Sequence, residues 1–162
     1  MPLTWRLDRP AQTGIAHEWE SEMTTSATGG CLCGAVRYEA IGPARALTLC
    51  HCAACRLAAG APSVAWAVFG SDGFRFTAGA PTTFASSPGV TRGFCGVCGT
   101  SLTYQRTARA DTIDVTTASL DEPNAFAPNK EIWVGDKLAW EVLNPSIAHF
   151  AASSVGATPL AD

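Results

Sequence analysis

The sequence predicts a mainly β single domain, and three observations carry that prediction. Short segments of alternating apolar and polar residues recur along the chain. Its 15 Gly and 10 Pro supply many turns between them. At 162 residues, 47% of them hydrophobic and 15% charged, there is enough apolar chain for one globular core and too little charge for disorder.

Residues 1–28 read as an N-terminal arm, 29–150 as the domain and 151–162 as a small, polar, frayed tail. The arm holds Trp5 and Trp19 without a clear period and lacks the apolar segment of a secretory signal. Met23 is a second candidate start, which would make residues 1–22 an upstream extension; the plainer reading is a real, poorly ordered arm. A polar run, Thr24-Thr25-Ser26-Ala27-Thr28-Gly29-Gly30, leads into the first cysteines.

In residues 35–40, Val36, Tyr38 and Ala40 alternate with Arg37 and Glu39, the pattern of a half-buried strand. Gly42-Pro43 turns the chain, and residues 46–49 form a strand that delivers Cys50. Residues 56–59 suit one helical turn, ended by Gly60 and Pro62. Strands follow at 63–69, with Trp66 inside, and at 74–77, with a Gly70-Ser71-Asp72-Gly73 turn between them. Residues 82–85 are short and extended, 86–89 a loop, and 90–94 lead into the last cysteines. Residues 101–104 and 112–116 alternate again; 121–124 are irregular; 131–134 and 139–142 are the last extended candidates. No repeat of solenoid period appears.

All 7 cysteines lie in three clusters: Cys31-Leu32-Cys33, Cys50-His51-Cys52-Ala53-Ala54-Cys55 and Cys95-Gly96-Val97-Cys98. Such spacing suits metal capture, because a tight turn aims two sulfurs at one point and zinc takes thiolates in a tetrahedron. Seven ligands divide as four plus three. The economical division joins Cys31, Cys33, Cys95 and Cys98 in a closed structural site and leaves Cys50, Cys52 and Cys55 as a site with one open position. The alternative pairs Cys50, Cys52 or Cys55 with Cys95 and Cys98. Disulfides compete less well: they would close very small rings, the odd count leaves one thiol over, and the absence of a secretory signal points to a reducing, cytoplasmic compartment. Iron–sulfur ligation is chemically open, but zinc is the commoner occupant of such knuckles.

A formal net charge of −3 and the lack of any Lys/Arg run give a nucleic acid or an anionic membrane nothing to bind. No apolar run approaches transmembrane length. A small-molecule partner is the expectation that remains.

The flanks of the clusters resemble the glutathione-dependent formaldehyde-activating enzyme family. The resemblance rests on Gly30-Cys31-Leu32-Cys33-Gly34 with Tyr38; on Cys50-His51-Cys52-Ala53-Ala54-Cys55-Arg56; on Ser86-Ser87; and on Arg92-Gly93-Phe94-Cys95-Gly96-Val97-Cys98-Gly99 with Leu102 and Tyr104. A weaker tail is Ser119-Leu120-Asp121, Pro128, Ile132-Trp133 and Trp140. It covers about residues 29–150. It implies a zinc-stabilised β-tent of short antiparallel strands, related to the centromere protein V group, with the same four-plus-three division. It also implies condensation of glutathione with formaldehyde to S-hydroxymethylglutathione, a carbon–sulfur lyase reaction in reverse. One departure bears on substrate: members often carry His just before the Ile-Trp of the tail, and Glu131 stands here.

On this reading Cys50, Cys52 and Cys55 form the catalytic zinc site, where a thiol binds as thiolate and attacks an aldehyde. His51 is a ligand, a proton shuttle or a packed side chain; alternation on an extended segment turns it away from the metal. Arg56 and Arg92 are candidates for a glutathione carboxylate, which a guanidinium fork fits, although most Arg are simply exposed. Trp66, Phe94 and Trp133 are core by their burial tendency, with a substrate wall as the alternative, and Ser86-Ser87 a turn. The competing function is a zinc-scaffolded binding module without catalysis, since a fold does not decide function.

Overall fold

The structure, a computed structural model, describes residues 26–161. Met23, Trp5, Trp19 and the rest of the arm before Ser26 lie outside the described residues. Eleven strands and one helix form two sheets among those residues. β1 (Ser26–Gly30), β2 (Arg37–Ile41) and β5 (Phe74–Ala78) make a small antiparallel sheet in the order β1-β2-β5. The larger sheet adds β3 (Ala46–Cys50), β4 (Val64–Gly70), β6 (Thr82–Ser87), β7 (Val90–Phe94), β8 (Ser101–Arg106), β9 (Thr112–Thr116), β10 (Lys130–Ile132) and β11 (Ala148–Phe150). Its order is β11-β10-β3-β4-β9-β8-β7-β6, an open sheet. The expected mainly β class holds. The pairing is antiparallel except at one edge, where β10 runs parallel to both β3 and β11.

The main core packs Val36, just before β2, and Tyr38 and Ala40 of the small sheet with Ala67, Phe69, Leu102, Ile113 and Val115 of the large one. Burying Phe69 or Leu102 contributes roughly 1.5–3 kcal/mol each. A second cluster, Cys50, Cys55, Val64 and Trp66 with Tyr104 and Ile132, lies apart from it. β4 divides its residues between the two by strand alternation: Val64 and Trp66 join the second cluster, Ala67 and Phe69 the first. This strand is apolar throughout because each of its faces covers something.

Several elements depart from their sequence pattern. The polar run before Cys31 pairs as β1, since backbone bonds to β2 do not need apolar side chains. The helix α1 (Ala53–Ala59) is longer than one turn and includes Cys55. Ser86 and Ser87 belong to β6 rather than to a loop, with a register shift between Ala85 and Ser87. Residues 139–142 form no strand. Glu141 N–H bonds back to Leu138 O at 3.0 Å, and this turn lets its carboxylate reach inward to His51. The tail after Ala151 is irregular but tied: Leu160 N–H donates to His149 O and Trp133 N–H to Ala152 O.

Candidate metal centres

Cys31, Cys33, Cys95 and Cys98 converge, their sulfurs all within 4.8 Å of one another. The first pair follows β1 and the second follows β7, so the cluster joins the two sheets. Each pair ends in a glycine with positive φ, Gly34 at 76° and Gly99 at 77°, a conformation that costs glycine nothing and lets the turn close. The Gly34 N–H donates to Cys31 O at 3.0 Å and the Gly99 N–H to Cys95 O at 2.8 Å. Thr100 bridges the two turns: its hydroxyl accepts from Leu32 N–H at 3.1 Å and lies 3.2 Å from Cys98 Sγ. That hydroxyl, and then the Thr100 backbone, pull the Cys98 thiol down to about 5.

Cys50, Cys52 and Cys55 form the second cluster, again within 4.8 Å. Cys50 ends β3. Cys52 caps α1, its sulfur accepting the Cys55 N–H at 3.4 Å, and Cys55 sits in the first turn. The hydrogen bond from Cys50, then that from Cys55, holds the Cys52 thiol far below its usual range, with the charge of Arg92 a smaller contribution. Cys50 is pushed up in exchange, by its bonds to Cys52 and Cys55 and by burial. A tetrahedron of zinc–sulfur bonds has sulfur–sulfur edges of about 3.8 Å. The Cys31–Cys33 and Cys33–Cys95 separations of 3.5 and 3.8 Å match it. The four-cysteine set therefore fits a soft, tetrahedral ion, and the three-cysteine set offers the same donor type within 4.8 Å.

The three-cysteine cluster opens into a cavity of about 430 Å³. A cavity of about 570 Å³ meets Cys31 alone among the cysteines, and one of about 670 Å³, which shares Ala54, Ser86 and Arg92 with the three-cysteine cavity, meets none. Trp66 and Tyr104 wall the 430 Å³ cavity, their rings 5.8 Å apart. Arg92 lines it while only 8% exposed. Its Nε donates to Ser86 Oγ at 3.3 Å, its Nη2 lies 3.7 Å from Cys55 Sγ, and its guanidinium stacks on the Tyr104 ring at 4.8 Å. Arg106, Arg109 and Asp114 line it as well. Burial lifts the Asp114 carboxyl to about 6, against the pull of Arg109 first and Arg106 second. Trp133 completes the wall with φ 59°, a left-handed backbone that costs a bulky residue roughly 1–3 kcal/mol.

Of the sequence-predicted residues, the structure brings Cys50, Cys52, Cys55 and Arg92 together in this cavity. It does not bring His51 or Arg56 into it. His51 is fully buried on the other side of the strand end, its Nε2 2.7 Å from Glu131 Oε2 and its Nδ1 3.0 Å from Glu141 Oε2. Both ring nitrogens are thus engaged by carboxylates, leaving none for a metal. Arg56 Nε donates to the His51 carbonyl at 3.1 Å, which ties α1 to the loop before it. Glu131 faces His51 and does not line the cavity, so its departure from the usual His is absorbed by packing. Trp66 is both core and cavity wall; Phe94 lines the 670 Å³ cavity instead. Arg106, Arg109 and Asp114 escaped the sequence reading. Asp114 had a signal: in β9 it alternates with Ile113 and Val115 and must face away from the main core.

The sequence pattern of the glutathione-dependent formaldehyde-activating enzyme family matches residues 26–136, more than half of the chain. The chain belongs to this family. No curated protein matches it. Among solved structures, a crystal structure of a Rhodobacter sphaeroides protein is similar at 25% identity and a TM-score of 0.49, covering 58% of this chain and 87% of that one. The matched span of the glutathione-dependent formaldehyde-activating family contains both cysteine clusters and every cavity residue except Ser153. No helix among the described residues is long and apolar enough to cross a membrane.

Proposed function

We propose that this chain is a zinc-dependent enzyme of the carbon–sulfur lyase type acting on a thiol–aldehyde adduct, with glutathione and formaldehyde giving S-hydroxymethylglutathione as its reaction. One observation carries this reading: a ligand-sized cavity is lined by three cysteines whose sulfurs suit one ion and leave a tetrahedron one corner short. Cys31, Cys33, Cys95 and Cys98 would hold a structural zinc; Cys50, Cys52 and Cys55 would hold the working one. Zinc bound by three thiolates supplies an open position at which a thiol is held as its thiolate.

The chain's own residues account for the rest. Trp66, Tyr104 and Ile132 give the cavity an apolar wall beside the sulfurs. Arg92 sets a positive charge against Cys55 and offsets the negative charge of clustered thiolates. Arg106 and Arg109 place two cations in the same lining, where they attract the carboxylates of a peptide thiol. Arg56 acts through the His51 carbonyl as a positioning residue. A reducing, cytoplasmic setting goes with seven thiols that must stay reduced to hold metal.

Carbon-13 exchange NMR between labelled formaldehyde and S-hydroxymethylglutathione tests the reading. The protein should speed exchange above the spontaneous rate, and Cys52→Ser should abolish the effect. Exchange no faster than in buffer, with metal bound at both sites, would leave a zinc-scaffolded binding module instead.

A further inference from the structure

Asp114 stands in the three-cysteine cavity with its acceptors unfilled. Arg92, Tyr104 and Asp114 are successive cross-strand partners on β7, β8 and β9. Their side chains therefore share one face of the sheet, and all three line the cavity. Burial and the charges of Arg109 and Arg106 act on the Asp114 carboxyl, and no hydrogen bond reaches either oxygen among the described residues. Arg109 Nη2 lies 3.7 Å from Oδ1, too far for a hydrogen bond. The fully enclosed side-chain atoms without a partner among the described residues are Arg92 Nη1 and Thr117 Oγ1. The Asp114 oxygens are not enclosed in this way, and the side chain keeps 16% of its surface. An ionised carboxylate offers about four acceptor sites. Here they are reachable, largely out of water and short of a donor.

The cation next to Asp114 sets the kind of ligand. An α-amino acid carries its carboxylate and its ammonium on one carbon, so its site needs a cation and an anion side by side. Arg109 and Asp114 are such a pair. Arg106 adds a second guanidinium to the lining, exposed and in no ion pair among the described residues.

We propose that Asp114 and Arg109 form a subsite for the α-amino-acid head of a γ-glutamyl thiol, Asp114 accepting from the ammonium and Arg109 donating to the carboxylate. The inference rests on the thiol reading above and selects among thiols. Cys50 pairs with Val64 on β4, whereas Asp114 pairs with Val68. Four residues along a strand span about 13 Å. Free cysteine has its ammonium and its sulfur on neighbouring carbons and cannot serve both ends of the cavity. In a γ-glutamyl-cysteinyl peptide a glutamyl side chain and a peptide bond separate the two groups.

Titration calorimetry of the zinc-loaded protein tests the subsite. The ligands are glutathione and glutaryl-cysteinyl-glycine, the same peptide without its ammonium. Glutathione should bind about 10–100-fold more tightly, the worth of a hydrogen bond between charged groups. Asp114→Asn should bind the two alike. Free cysteine should bind no better than 2-mercaptoethanol. In wild-type protein labelled with carbon-13 at the aspartate carboxyls, the Asp114 signal should move with glutathione and with S-methylglutathione and hold its position with the glutaryl peptide. That measurement decides the matter if Asp114→Asn does not fold. Equal affinities in wild type, binding of neither peptide, or a preference that survives in Asp114→Asn would overturn the subsite; the thiol–aldehyde reading stands in those cases if the protein still speeds formaldehyde exchange. If the preference is present but exchange is no faster than in buffer, the thiol–aldehyde reading fails and the subsite stands, as a γ-glutamyl peptide site on a binding module.

Discussion

Glu131 and Asp114 show how burial decides what a carboxylate does. Glu131 is 1% exposed, meets His51 Nε2 at 2.7 Å and accepts the Asn144 N–H at 2.7 Å. Ser63 Oγ donates to Glu141 at 2.6 Å and completes the group. Removing one member of a buried pair leaves the other uncompensated. Glu131→Ala should therefore lower stability by roughly 3 kcal/mol in urea unfolding, Glu131→Gln by less, and neither should change thiol affinity. A change in affinity without a change in stability would return Glu131 to the substrate. Asp114 is the opposite case, a carboxylate that burial disfavours. Its folded-state value of about 6 lies above the unfolded one of about 3.9, so between those pH values the folded protein binds more protons and stability falls as pH rises. The cost is absent below about pH 4 and complete above about pH 6, on the order of 2–3 kcal/mol for two pH units. Asp114→Asn should thus be the more stable protein at pH 7, with the gap closing toward pH 4; a constant gap would rule out ionisation as its cause. The role of Glu131 was not legible in the sequence. His51 meets Glu131 across 80 residues and Glu141 across 90, and no local pattern reports such pairings. The cysteines were legible because metal ligation needs a residue type and a spacing that each short segment displays by itself.

The two cysteine clusters differ as elements of the fold. Cys31 and Cys33 lie 62 residues or more before Cys95 and Cys98, and their cluster ties β1 of one sheet to β7 and β8 of the other. Binding energy there is folding energy. Cys98→Ser should give largely unfolded protein, and a Cys98→Ser variant with wild-type melting temperature and full zinc content would exclude this division of ligands. The second cluster spans one loop and the first turn of α1, so it closes no long connection. Cys52→Ser should keep the fold and retain about half the metal, read by calorimetry and elemental analysis. Most strands were legible because one face of each is buried, and burial writes alternation into sequence. Three elements were not. β1 is polar but paired, the segment over His51 alternates but turns to present Glu141, and β11 is a short edge strand held by parallel bonds to β10.

At the scale of the whole molecule, one open sheet carries the cavity on one of its faces and the core on the other, with β4 serving both. All of the cavity lining lies between Thr48 and Ser153. A chain beginning at Met23 should therefore fold with unchanged metal content, and loss of solubility in it would show that residues 1–22 contribute to the domain. The central claim is that a free thiol takes the open position of the three-cysteine centre. Cobalt put in place of zinc makes that position visible. Glutathione should shift the cobalt d–d and thiolate charge-transfer bands, more strongly as pH rises toward the thiol's own value of about 8.5. S-methylglutathione, with the same carboxylates and no ionisable sulfur, should not. An unchanged spectrum with glutathione, or an equal shift with its S-methyl derivative, would contradict thiol activation at this site.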